Sequence, residues 1–111
     1  DPFVVWGSPD VVRDFLYVKD VVKGCLLVLE KGESMRPYNV GYGSTITIGD
    51  IVNTILKVTG KTPEVQWDNS KPTTIPFRSC STERIETELG FKPDYTFEQG
   101  MKETIEWYEN L

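Results

Sequence analysis

The sequence predicts an α/β fold, a small sheet of short strands packed with about four helices. Apolar residues recur at three- and four-residue spacing in four segments, the helical period. Short runs rich in Val, Tyr and Trp stand between them, bounded by Gly, Pro, Asn or Asp. The 111 residues, 39% hydrophobic and 26% charged, suit a single soluble domain with a modest core.

The elements follow in order. Phe3-Val4-Val5-Trp6 reads as a strand closed by the turn cluster Gly7-Ser8-Pro9-Asp10. Val11-Val12 and Phe15 to Val18 flank Arg13-Asp14, an extended segment that delivers one cation and one anion. Asp20 to Lys31 reads as a helix with Val21, Val22, Cys25, Leu26, Val28 and Leu29 on its inner face. Asp20 suits its positive N-terminal end and Gly32 its exit. Gly24 lies inside this helix at a cost of about 1 kcal/mol relative to Ala, which close packing against another element would explain.

Tyr38-Asn39-Val40 is a strand candidate, followed by a turn at Gly41-Tyr42-Gly43-Ser44. Thr47 and Asp50 form a capping box for a helix that ends at Gly60. Val65-Gln66-Trp67 is another strand candidate, and Asp68 to Pro76 reads as a loop. Ser81 is placed to cap a helix from Thr82 to Leu89. Thr96 and Gln99 make a second capping box, opening a helix that carries Phe97, Met101, Ile105 and Tyr108.

Composition excludes several chemistries. The chain has no histidine, which removes Ser-His-Asp, Cys-His and HExxH sites. Cys25 and Cys80 stand too far apart for a CxxC motif and read as small buried residues of a reducing compartment, the cytoplasm, with a single disulfide between them as the alternative. A net charge of −5 without a basic stripe speaks against nucleic-acid backbones. No apolar run reaches the roughly 18 residues of a membrane span. The start at Asp1-Pro2, without Met or leader, is expected of a processed chain or a piece of a longer one.

Gly41-Tyr42-Gly43 resembles half of a dinucleotide fingerprint, but Ile46 occupies the third glycine position. A tight turn is the expected role. No tyrosine has a lysine four residues on, so no Tyr-x-x-x-Lys acid–base pair is present and no catalytic residue is assigned. Arg13 is a candidate for bidentate recognition of phosphate, against the alternative of an ion pair with Asp14 or Asp20. Lys71 and Arg78 bracket the proline-bearing loop as further cations. Trp6 and Trp67 are expected in the core.

Taken in order, these segments resemble one family. Val5-Trp6-Gly7 with Arg13-Asp14-Phe15-Leu16-Tyr17-Val18-Lys19-Asp20-Val21-Val22 is similar to the "VWG…RDFIYVDDVV" stretch of the NAD-dependent sugar-nucleotide epimerase/dehydratase family, the extended short-chain dehydrogenases. Tyr38 to Gly43, Lys71-Pro72 to Arg78, Gly90-Phe91-Lys92-Pro93 and Phe97 to Tyr108 are similar to further segments of that family, in the same order. The resemblance implies a single substrate-binding lobe over residues 1–111, the C-terminal lobe of such enzymes. It implies that Arg13 contacts a nucleotide diphosphate, with Lys71 and Arg78 near the phosphates and nucleoside. No cofactor is then held by this chain, and NAD or NADP belongs to a Rossmann half with no counterpart here. Pro9 for a glycine, Lys19 for an aspartate and Ser81 for an aspartate are departures from the family pattern.

Two readings follow. In one, the chain is the sugar-nucleotide-binding lobe of an epimerase or dehydratase, not catalytic alone. In the other, it is a stand-alone non-enzymatic module that binds a sugar nucleotide or a protein partner, as a homodimer for instance. A lobe built to pack on another half should expose apolar area.

Overall fold

A computed structural model describes residues 1–111. The elements are β1 (Phe3–Trp6), β2 (Val12–Arg13), α1 (Val18–Lys31), β3 (Ile46–Thr47), α2 (Ile48–Thr59), β4 (Val65–Asp68), α3 (Glu83–Leu89) and α4 (Phe97–Glu109). The sheet is two small pieces. β1 pairs parallel with β4, Phe3 opposite Val65 and Trp6 opposite Asp68. β2 pairs antiparallel with β3, Val12 opposite Thr47 and Arg13 opposite Ile46. The α/β class with four helices and short strands is as the sequence predicts.

Local signals produced the helix ends best. Both capping boxes form: Thr47 accepts from the Asp50 N–H and Thr96 from the Gln99 N–H, with the reciprocal bonds present. Gly60 and Gly90 close α2 and α3 at positive φ, where a side chain would be strained. Gly24 has the predicted reason: a Cβ there would lie 2.5 Å from Val40 Cγ1.

Other expectations need correction. Tyr38–Val40 is not a strand, because no second strand lies beside it; Val40 packs against Gly24 and Asn39 donates to the Ser81 carbonyl. Ser81 is not the cap of α3. Thr82 takes that position, and its hydroxyl donates to Glu86 Oε1 at 2.8 Å instead of accepting from the helix. Helix α1 starts two residues before Asp20, and Asp20 bonds to a distant turn rather than to its own N-terminus. Cys25 and Cys80 are free but exposed, not buried. Trp6 is 63% exposed, since the pleat puts Val4 and Trp6 on the outer face of the β1–β4 pair.

The core is small. Val11, Val52, Ile85 and Phe91 are its buried apolar side chains. Most of the predicted inner face of α1 is bare instead: Val21, Val22, Cys25 and Leu26 are exposed and Leu29 is 81% exposed, with Val28 half-buried; Val18, at the helix start, is exposed too. The accessible surface is 7815 Å², against about 6,200 Å² for a folded monomer of this mass. The radius of gyration is 16.5 Å, against about 13 Å for a compact chain of this length.

Candidate functional site

The site is built around β2. This two-residue strand has β3 on one side and the chain after the long loop on the other. The Val12 N–H donates to the Pro76 carbonyl at 2.8 Å, and the Arg78 N–H donates to the Val12 carbonyl at 3.1 Å. Val12 thereby pairs with Phe77 in parallel register. One residue beyond that pair on each segment stand Arg13 and Arg78. The backbone register therefore sets these two predicted cations at adjacent positions on neighbouring segments.

Arg13 is half-buried and makes no ion pair. Its Nη1 donates to the Val12 carbonyl at 2.6 Å, and its Nη2 donates to Thr74 Oγ1 at 3.1 Å and to the Ile75 carbonyl at 2.5 Å. These acceptors are neutral, so the positive charge is uncompensated. The ion pair weighed for Arg13 from the sequence does not form. Asp14 instead accepts from the Tyr42 N–H at 2.8 Å and the Gly43 N–H at 3.3 Å. Asp20 accepts from the Asp94 and Tyr95 N–H groups. The Gly41–Gly43 turn closes over Asp14 because its two glycines have no side chains: a Cβ on Gly41 would lie 2.8 Å from Cys80 Sγ and 3.0 Å from Asp14 Oδ2. The expectation of a tight turn holds there.

Arg78 is exposed, and its side chain makes no hydrogen bond or ion pair. Lys71 sits elsewhere on the same loop, its ammonium 5.6 Å from the centre of the Trp6 ring. The structure thus joins Arg13 to Arg78 through the strand register. It gives Lys71 a separate anchor, with no bond to either arginine. The four ion pairs of the chain, Lys19–Glu103, Lys23–Asp94, Arg36–Glu88 and Lys57–Glu98, use none of these three.

Two other groups are chemically quiet. Partial desolvation of the Cys80 sulfur, although the residue as a whole is exposed, and the nearby Asp14 charge push its thiol up, away from the nucleophilic thiolate. Tyr17 donates to Glu103 Oε2 at 2.7 Å, and this bond raises its phenol above the ordinary value. Glu103 is held below the carboxylate range by Tyr17 and Lys19. Tyr17, Lys19 and Glu103 edge an open groove of about 820 Å³ between Phe15–Lys19 and α4. None of Arg13, Lys71 or Arg78 lines it.

The N-terminus of α2, the helix behind the glycine-bearing turn, has no free N–H groups to offer a dinucleotide pyrophosphate. A pyrophosphate needs free N–H groups at a helix N-terminus behind a glycine turn. At α2 those groups are taken: Ile48 N–H by the Val11 carbonyl, Gly49 N–H by the Pro9 carbonyl and Asp50 N–H by Thr47. A Cβ on Gly49 would lie 3.1 Å from Pro9 Cβ, so the Pro9 turn covers that end.

Sequence reasoning missed Thr74 and Ile75 as partners of Arg13; it named Asp14, but not the turn N–H groups that Asp14 holds. Nothing about an isolated threonine in a loop marks it as an acceptor for an arginine 61 positions away. The bracketing Pro72 and Pro76 were the only local sign of a fixed path.

Comparison with known proteins places this geometry in context. The profile of the family described as GDP-mannose 4,6 dehydratase matches residues 1–104. A rice protein named "Probable GDP-L-fucose synthase 1" (Oryza sativa subsp. japonica) is 33% identical over 97% of this chain and 33% of its own length. The dTDP-glucose 4,6-dehydratase of Bacillus anthracis, solved in complex with NAD, superposes with a TM-score of 0.88. It is 31% identical, over 99% of this chain and 35% of that one. The UDP-glucose 4-epimerase of Thermotoga maritima, solved with UDP-glucose, gives a TM-score of 0.82 at 27% identity, over 99% of this chain and 35% of that one. The chain spans about a third of the length of the curated relatives it matches. No helix of the chain is long and apolar enough to cross a membrane.

Proposed function

This chain belongs to the GDP-mannose 4,6 dehydratase family, NAD-dependent sugar-nucleotide epimerases and dehydratases of the extended short-chain dehydrogenase type, and we propose that it is a substrate-side lobe of such an enzyme. In this reading residues 1–111 form one substrate-binding lobe. It holds the diphosphate of a nucleotide sugar through Arg13, with Arg78 beside it and Lys71 further along the loop. It is not catalytic alone, and the NAD or NADP is held by a companion half.

One observation carries the binding assignment. Arg13 keeps an uncompensated charge in a chain of net −5, because Asp14 and Asp20 are committed to backbone N–H groups. An anion is the missing partner, and a diphosphate is the anion common to the GDP-, dTDP- and UDP-sugar relatives. The surplus of roughly 1,600 Å² of accessible surface over a monomer of this mass supports a companion half. So does the bare apolar stripe of α1, Val18, Val22, Leu26 and Leu29.

Titration calorimetry of the chain against UDP-, GDP- and dTDP-sugars, with NAD as control, tests the reading. A nucleotide sugar is expected to bind, and Arg13→Ala to weaken it at least about tenfold, the effect of losing one charge-assisted contact. Undiminished binding by Arg13→Ala, or binding of NAD by this chain, overturns it. The bare stripe is equally open to a second copy, the alternative reading. A concentration-dependent dimer in sedimentation velocity would favour that module.

A further inference from the structure

We infer that Arg13 is a latch: it straps the 71–75 segment of the loop to β2, and gripping a phosphate requires it to let that segment go. The inference rests on the proposed role of Arg13 in binding an anion and goes beyond it.

The argument is one of donor geometry. A guanidinium has two edges that can grip a phosphate with parallel hydrogen bonds, Nε with Nη2 and Nη1 with Nη2. Both edges include Nη2. In the structure the two Nη2 hydrogens are spent on Thr74 Oγ1 and on the Ile75 carbonyl. What remains, the Nε hydrogen and one Nη1 hydrogen, does not form a fork. A bidentate grip therefore displaces Thr74, Ile75 or both.

The strap depends on these bonds. Every residue from Asn69 to Ser81 is exposed. Residues 71–75 make no other hydrogen bond, whereas Pro76 and Arg78 on the far side are fixed to Val12. Lys71 rests over Trp6 without a carboxylate partner. Release of Nη2 thus frees a short segment between two held ends, at Asp68 and Pro76. That segment carries Lys71, which can then approach the bound anion. Displacing neutral acceptors by a phosphate is favoured, since the phosphate adds the negative charge they lack and meets the guanidinium with two parallel bonds.

The test is ¹⁵N relaxation and side-chain Arg Nε spectra of the 111-residue chain, with inorganic pyrophosphate and UDP as probes. Without ligand, Thr73 to Ile75 should be ordered, with order parameters near about 0.8. With saturating pyrophosphate the Arg13 Nε signal should shift and those order parameters fall below about 0.6. Thr74→Val removes one competing acceptor at an exposed position, and the rest of the spectrum reports that the fold is kept. It should loosen the segment without ligand and bind pyrophosphate about fivefold tighter. Pyrophosphate that shifts Arg13 Nε while Thr73 to Ile75 stay rigid overturns the latch and leaves the anion site standing. A segment that loosens in Thr74→Val while the wild type binds neither probe overturns the anion site, and the ligand-driven latch falls with it.

Discussion

The turn at residues 92–96 and the loop at residues 69–81 are both irregular connections, and they are held in opposite ways. The turn is fastened by a buried carboxylate. Asp20, 1% exposed, accepts from the Asp94 N–H at 2.8 Å and the Tyr95 N–H at 3.1 Å. Lys23 adds bonds to the Lys92 carbonyl and to Asp94. Gly100 lets α4 press on Tyr17, and Tyr17 reaches Glu103. The loop is exposed throughout, and its 71–75 segment is hydrogen-bonded through one arginine. In one region charge is spent on stability; in the other it is left available. The proposed ligand site lies in the loosely held region, where a contact can be exchanged at little cost to the fold.

Substitutions should separate the two regions. Asp20→Ala leaves two part-buried N–H groups without acceptors and is expected to cost about 2 kcal/mol, read as a lower midpoint in urea unfolding. Asp20→Asn, which keeps one acceptor, should cost less. Gly100→Ala places a Cβ 2.8 Å from Tyr17 Cβ, and overpacking of that kind costs about 2 kcal/mol. Thr96→Ala removes the α4 cap and should cost about 1 kcal/mol by the same assay. At the other extreme, Thr74→Val in the loop should move the midpoint by less than about 0.5 kcal/mol. A large loss there would erase the contrast.

The pH dependence sharpens the comparison more gently. Tyr17 and Lys19 hold the Glu103 carboxyl below its ordinary value of 4.5. Its contribution is therefore complete above that ordinary value and is lost as pH falls through the lowered one. Arg36 does the same for Glu88. Stability measured from about pH 6 to pH 3 should fall less steeply in Glu103→Gln than in the wild type. Parallel curves would show that the Tyr17–Glu103–Lys19 contact adds nothing.

What the sequence made legible follows the range of the forces involved. The helices α2 and α4 and their capping boxes depend on neighbours three residues apart, and they appear as read. Gly24 announced a close contact because a glycine inside a helix needs a reason. Tyr38–Val40 failed as a strand because a ladder needs a partner, which no local pattern supplies. The apolar period of α1 identified the helix, but it did not say that Val22, Leu26 and Leu29 would be bare. Asp20 was read as a helix-end charge; its partners lie 74 and 75 residues away. Arg13 stood out by residue type and position, while Thr74 and Ile75 had no signal of their own.

The most direct measurement is a ¹H–¹⁵N titration of the chain with a UDP- or GDP-sugar. The account predicts shifts concentrated at Arg13, Thr73 to Arg78 and Lys71, with Asp20, Asp94 and Tyr95 unmoved, and their disappearance in Arg13→Ala. Shifts centred on the groove between Tyr17 and α4, or shifts that persist in Arg13→Ala, would contradict it.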